Sequence, residues 1–296
     1  MASFYLSAFA DEAADSLTDQ IRALVDNGIH YLEPRNIDGR GILTLTDEEL
    51  DAMKAELDAA GITVGSIGSP IGKYPIDAPM EPHMKDLARA CEVAHRLGTT
   101  RIRMFSFFTE GHEDIAPLRG EVMRRLSEMA AYAKGVGITL CHENESGIYG
   151  CHPAEVADIL DTVTDLDGIF DPANYIVNGA SIPAGIDATL KRLSYLHIKD
   201  AIYNDEGKHI IVPAGEGDGD IAELLRRVDA HTDAPVMLTL EPHLHIFQAY
   251  AAIDGHGLSG THTFTSAREA FDFAATSLKG ILTSLGFTED HGIWKK

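Results

Sequence analysis

Short apolar runs alternate with amphipathic stretches along the chain, and polar turns separate them. Runs near residues 3–8, 29–33, 62–67, 101–106, 138–143, 168–171, 194–198 and 235–241 have the length and composition of buried strands. Between them the apolar positions fall at helical spacing: Leu17, Ile21, Leu24 and Val25 share one face, as do Val122, Leu126, Met129, Ala130 and Ala133. Gly28, Gly61, Gly98 and Gly137 each follow a helical pattern and precede a strand, where a left-handed C-cap is needed. Strand, turn and helix repeated in this way predict an α/β fold, with eight parallel strands closed into a (β/α)8 TIM barrel. A helix near 264–285 is expected to close the last turn, after the loop DGHGLSGTH, with GIWKK as a tail beyond it.

Length and composition fit that picture. A chain of 296 residues is long for one domain but normal for such a barrel, and no Ser/Gly linker or charge block divides it, so residues 1–296 read as a single domain. Hydrophobic residues at 45% and charged residues at 24% are the balance of a soluble globular protein. The net charge of -22 opposes a phosphate backbone or an anionic bilayer, so neither nucleic acid nor membrane is an expected partner. The segment MASFYLSAFADE lacks a basic stretch followed by an apolar one, and no run approaches the roughly 20 apolar residues of a span, so a cytoplasmic location is expected. Cys91, Cys141 and Cys151 show no paired spacing, and Cys141 reads as a small buried hydrophobe. Barrels of this kind often pair through outer helices and strand-end loops, which leaves a homo-oligomer open.

The chemistry is expected at the C-terminal ends of the strands, where a parallel barrel gathers its catalytic groups. Four apolar runs end in a ligand-type residue: Glu143 after GITLCH, Asp171 after DGIF, His197 after LSYL and Glu241 after APVMLTL. The gaps of 28, 26 and 44 residues each suit one strand and its crossover helix. A carboxylate ending a buried strand is costly unless a cation or hydrogen bonds compensate it. Three carboxylates and one imidazole suit a single divalent cation, with Mn2+, Mg2+, Co2+ and Zn2+ all admissible. Lys199 lies two residues past His197 and should face the same side, where it steadies a substrate oxygen or pairs with Asp200 or a neighbouring carboxylate. His142 should point away, toward the helices, while Asn144 and Glu145 are placed to support the ligands.

Other residues invite a functional reading and a plainer one. Arg35 and Arg103 fall near strand ends, where each either holds an anionic substrate or neutralises the carboxylates, the second being favoured. His243 follows Pro242, which should bend the chain, and is a substrate-contact candidate. His256 and His262 read as loop residues. GSIGSPIGK lacks the spacing of a phosphate-binding P-loop and reads as a loop after the third strand. GEGDGD is too short for a calcium loop, and Asp220 is expected to cap the helix IAELLRRV.

The segments HENESGIYG, FDPANYIVNG, YLHIKDA, VPAGEGDGDI and LTLEPH, with YLEPRNIDGRGI and RIRMFSFF before them, resemble the sugar phosphate isomerase/epimerase family, the xylose-isomerase-like TIM barrels. The resemblance implies one divalent ion held by Glu143, Asp171, His197 and Glu241. In the related ketose 3-epimerase branch the two glutamates also exchange a proton with the carbon beside the carbonyl, one on each face, which assigns catalysis to Glu143 and Glu241 with Lys199 beside them. The chain departs from that branch at Asn174, where it has a histidine, and at Tyr203, where it has an arginine. Both positions touch substrate in the branch, so the branch's sugar does not carry over; Asn174 joins His243 and Arg103 as the substrate-binding candidates.

The expected function is therefore a metal-dependent isomerase or epimerase of a small sugar or sugar phosphate, working through an enediolate. The alternatives are a related polyol or inosose dehydratase, a metal hydrolase of the endonuclease IV type, and a non-catalytic sugar-binding barrel. The acidic net charge and the scarcity of strand-end histidines weigh against the hydrolase.

Overall fold

The computed structural model describes residues 2–203, 208–245 and 262–296. It is an α/β barrel whose strands are β1 Ser3–Ala8, β2 Tyr31–Leu32, β3 Thr63–Val64, β4 Arg101–Met104, β5 Thr139–Glu143, β6 Leu166–Phe170, β7 Leu193–Ile198 and β8 Pro235–Leu240. Helices α1 Leu17–Asp26, α2 Asp47–Ala59, α3 Met80–Leu97, α4 Arg119–Gly135 and α5 Pro153–Thr162 follow the first five strands in turn. Two helices, α6 Pro172–Val177 and α7 Ile182–Thr189, follow β6, and α8 Ile221–His231 and α9 Ala267–Ser284 follow β7 and β8.

Parallel ladders run without a break from β4 through β5, β6, β7 and β8 to β1. β2 and β3 pair only with each other, at Tyr31–Thr63 and Leu32–Val64. They join the ring through Glu33 N–H donating to Ala8 C=O at 3.0 Å, and through the bridge between Ile67 and Ile102. The second and third strands are thus shorter than their apolar runs predict. Part of the reason is the tail: Thr288–Asp290 and Ile293–Lys295 form a hairpin whose second strand pairs antiparallel with β1 at Phe4 and Tyr5. That pairing takes up the β1 edge that β2 would otherwise use. The tail therefore packs.

Helix ends follow the expected chemistry. Gly28, Gly61, Gly98 and Gly137 all have positive φ, and Thr46 begins α2 with a reciprocal capping box to Glu49. On α4 the five apolar positions read as one face are all buried. On α1 the reading needs correction: Val25 is 51% exposed, and Gln20 and Ala23 are buried instead. Gln20 is admitted to the interior because its amide donates to the Asp15 and Asn36 carbonyls. Asp220 also departs from expectation. It precedes α8 with φ 46°, and its side chain makes no capping hydrogen bond, since the left-handed backbone does not aim it at the helix amides.

Two layers of apolar side chains result. Phe4, Leu6, Ile102, Met104, Leu140, Leu196 and Leu238 belong to the large core that the helices cover, while Tyr5, Cys141, Ile169, Tyr195 and Met237 form a separate cluster. The two sets alternate along each strand, as strand period demands. No described helix is long and apolar enough to cross a membrane, and Cys91, Cys141 and Cys151 are all free.

Candidate metal centre at the barrel mouth

The separate cluster is the floor of a site. One inward step beyond Cys141 on β5 stands Glu143, one beyond Ile169 stands Asp171, and one beyond Tyr195 stands His197; on β8 the row runs Met237, Thr239, Glu241. Asp171 and Glu241 lie just past their strands, so the four side chains come from the C-terminal ends of four consecutive strands. One ligand atom from each of the four lies within 4.8 Å of all the others, close enough to share a single ion. All four are essentially buried: Glu143 1%, Asp171 0%, His197 0% and Glu241 3% exposed.

His197 centres the group. Its Nδ1 lies 3.0 Å from Glu143 Oε1 and 3.2 Å from Glu241 Oε2. Glu241 Oε2 is buried and has no hydrogen-bond partner, and Asp171 Oδ2 has only the ammonium of Lys199, 2.9 Å away and off the line of a hydrogen bond. Carboxylate oxygens left so under-coordinated in a dry site fit a cation.

Three fixed cations stand around the cluster. Lys199 Nζ is also 3.8 Å from Glu241, so of the pairings open to it the structure selects Asp171 and not Asp200. Arg103 Nη1 is 3.3 Å from Glu143 and 3.9 Å from Glu241. Arg35 reaches Glu241 at 2.9 Å, Asp11 at 2.9 Å and Glu12 at 3.2 Å. Charge balance is thus the visible role of both arginines. A second acidic group, Glu12 with Glu241 and His243, has ligand spacing too, but Arg35 already supplies its counter-charge.

Burial and these neighbours set the proton affinities. Burial pushes the Asp171 carboxyl up to about 7, against the pull of Lys199. Burial would raise Glu241 as well, but Lys199, His197 and His243 outweigh it and hold that carboxyl well below its usual range. His197 moves the other way: burial opposes its charge, but Glu143 and Glu33 raise it well above an ordinary imidazole. Burial lifts Glu12 to about 8 in spite of Arg35.

The supporting residues fall around the ligands. Asn174 donates from its side chain to Glu143 Oε1 at 3.3 Å and to the Asn144 carbonyl at 2.9 Å, and from its backbone to Asp171 Oδ1 at 2.9 Å. Asn144 clamps the Asp171 peptide, donating to its C=O at 2.8 Å and accepting from its N–H at 2.9 Å. Glu145 pairs with Lys73 at 3.0 Å. His243 has φ 47°, so the chain does turn after Pro242, and its Nε2 lies 3.4 Å from Glu241. His142 faces the helices as expected, buried, with burial lowering its imidazole to about 3. Tyr203 is half exposed at the end of the strand Asp200–Tyr203 and donates to the Val177 carbonyl at 3.3 Å, away from the four ligands. His256 lies outside the described residues, and His262 contacts Glu216 at 2.8 Å.

Glu12 and Glu33 escaped the sequence reading, as did the partners of Asp200. Glu33 is fully buried beneath His197, and the strand-end rule applied to HYLEPR would have found it. Asp200 takes backbone N–H bonds from Ala201, Gly215, Gly217 and Gly219 at 2.9 to 3.1 Å. This explains GEGDGD without a cation, because a Cβ on Gly217 would strike the Asp200 carboxylate.

Comparison with known proteins places this geometry. A family model described as xylose isomerase-like TIM barrel matches residues 21–257. No curated protein matches in sequence. Among solved structures, a probable 3-DHS dehydratase of Bacillus anthracis superposes with a TM-score of 0.70 at 15% identity, covering 94% of this chain and 99% of that one. A D-psicose 3-epimerase of Clostridium cellulolyticum H10, solved with D-tagatose, gives 0.68 at 15% identity, covering 95% and 99%. A barrel protein of Mycobacterium smegmatis in complex with magnesium gives 0.69 at 15% identity, covering 96% and 98%. At these identities the likeness is one of fold.

Proposed function

Since the chain belongs to the xylose isomerase-like TIM barrel family, we propose that it is a divalent-metal-dependent isomerase or epimerase of a small sugar or sugar phosphate, with residues 1–296 acting as one catalytic domain. The observation that carries this reading is the convergence of Glu143, Asp171, His197 and Glu241 within 4.8 Å on four strand ends. Glu143, Asp171, His197 and Glu241 would hold the ion. When bound, it would polarise a carbonyl and the adjacent hydroxyl, making the hydrogen on the intervening carbon acidic.

The residues supply the rest. Glu241 is kept ionised by Lys199 and His197, which suits a base that removes the carbon-bound proton. Glu143, steadied by Asn174 and Arg103, would return the proton. Lys199 offers a fixed positive charge beside both Asp171 and Glu241 for the developing oxyanion. Asn174, Arg103 and His243 border the same space and would orient the hydroxyls. The burial of all four ligands excludes bulk water from the transfer.

The test is a panel of ketoses and their phosphates offered in D2O with Mn2+, Mg2+, Co2+ or Zn2+. Deuterium entering the carbon beside the carbonyl, and absent with Glu143→Gln, is expected. No exchange with any pair would reject the reading. A second reading has one observation in its favour, since the Lys199 ammonium could protonate a leaving hydroxyl. The same assay would then show loss of one water from the substrate.

A further inference from the structure

Glu33 is held from below by two hydroxyls. Its Oε1 accepts from Tyr195 Oη–H at 2.8 Å, its Oε2 accepts from Thr239 Oγ1–H at 2.9 Å, and the Tyr195 oxygen is 3.0 Å from Ser66 Oγ. Tyr195, Ser66 and Thr239 are all fully buried. Directly above, His197 Nε2 lies 3.5 Å from Glu33 Oε2, buried and without a hydrogen-bond partner. The opposite ring nitrogen, Nδ1, is the one that faces Glu143 and Glu241. The imidazole therefore stands between a ligand cluster on one side and a lone anchored carboxylate on the other.

We propose that Glu33 is a positioning residue: it accepts the Nε2 proton of His197, fixing the tautomer and the ring plane in which Nδ1 is free to ligate. The role rests on the metal-centre reading above. The physical basis is general, because a ligating imidazole needs its proton on the far nitrogen, and a carboxylate there both selects that form and strengthens the ligand. The two hydroxyls keep the Glu33 carboxylate from rotating away. A purely structural Glu33 makes a different demand, since a glutamine could accept from Tyr195 and still fill the space. Only the positioning role needs the full charge toward Nε2.

The experiment titrates metal-free protein with Mn2+ by calorimetry. Wild type should bind one ion, and Glu33→Gln should bind it about 10- to 100-fold more weakly with an unchanged circular dichroism spectrum. Tyr195→Phe combined with Thr239→Val, which keeps the carboxylate but frees it to rotate, should show a smaller loss. In the Zn2+-loaded wild type, 15N spectra should place the His197 proton on Nε2, and Glu33→Gln should shift that signal, since a neutral amide polarises the N–H less than a carboxylate does. Wild-type affinity in Glu33→Gln, beside loss of binding in Glu143→Gln, overturns the role and leaves the metal centre standing. No binding by wild type overturns both. Should Glu33→Gln fail to fold, unaltered affinity in the Tyr195→Phe, Thr239→Val double variant overturns the role.

Discussion

From β5 round to β1 the strands run five or six residues in parallel ladders with one register shift, at Gly168/Ile169, whereas β2 and β3 contribute two residues each and join the ring through a few backbone bonds. The long-stranded side carries all four ligand candidates. The short-stranded side carries Glu33 and Arg35, which touch the ligands only from outside. Ligand geometry must be held to fractions of an ångström, and a hydrogen-bonded ladder does that. Counter-charge acts over several ångströms and tolerates a looser frame. The division of labour follows from how sharply each interaction depends on distance.

The comparison can be broken at its strongest point first. Asp171→Asn or Glu143→Gln, on the ladder side, should lower turnover by about 1,000-fold or more and remove Mn2+ binding, as read by deuterium exchange and calorimetry. If either variant kept near-native activity, the ladder side would not hold the chemistry. Arg35→Gln, on the short-stranded side, should cost about 3 kcal/mol of stability by leaving Asp11, Glu12 and Glu241 together without their shared cation. Chemical denaturation measures it, and an unchanged midpoint would show that these charges are relieved by some other means. Saturating metal, at roughly 100 times its dissociation constant, should add about 2.7 kcal/mol to the wild type and nothing to Asp171→Asn. Thermal melts with and without chelator report the difference.

The smallest effect sets one histidine from each side against acid. His83 on α3 is lowered to about 4 and His142 on β5 to about 3, both through burial. Their folded values lie below the unfolded 6.5, so the unfolded chain binds more protons and stability falls as pH drops below 6.5. At pH 5 each should cost about 2 kcal/mol. His142 has no hydrogen-bond partner, whereas His83 Nε2 accepts from Gly72 N–H at 3.0 Å and its ring stacks on Tyr74. His142→Leu should therefore flatten the acid limb of stability at little cost near neutrality, while His83→Leu should flatten it and also lose stability at pH 7. Equal behaviour of the two would erase the distinction.

What could be read from the sequence divides along the same line. Glu143, Asp171, His197 and Glu241 were legible because a charged residue closing a long apolar run is conspicuous, and long runs are what a continuous ladder needs. The shortness of β2 was not, since the residues that take up the β1 edge, Ile293 and Trp294, lie at the far end of the chain. The hairpin Asp200–Tyr203 with His209–Val212 was likewise missed; its two four-residue strands sit inside the connection between two barrel strands, where the strand–helix alternation calls for no pair. Lys199 was placed correctly at the mouth, but its choice of Asp171 over Asp200 depended on Asp200 being fully occupied by glycine amides. Such competition is a property of assembled loops.

Those glycine amides have one more consequence. Asp200 and the amides it gathers stitch together the two feet of the excursion between β7 and α8. Lys199 and His197 lie on the β7 side of that stitch, next to the residue that makes it. A single carboxylate thus fixes the far foot of a loop to the strand end that carries two residues of the proposed centre.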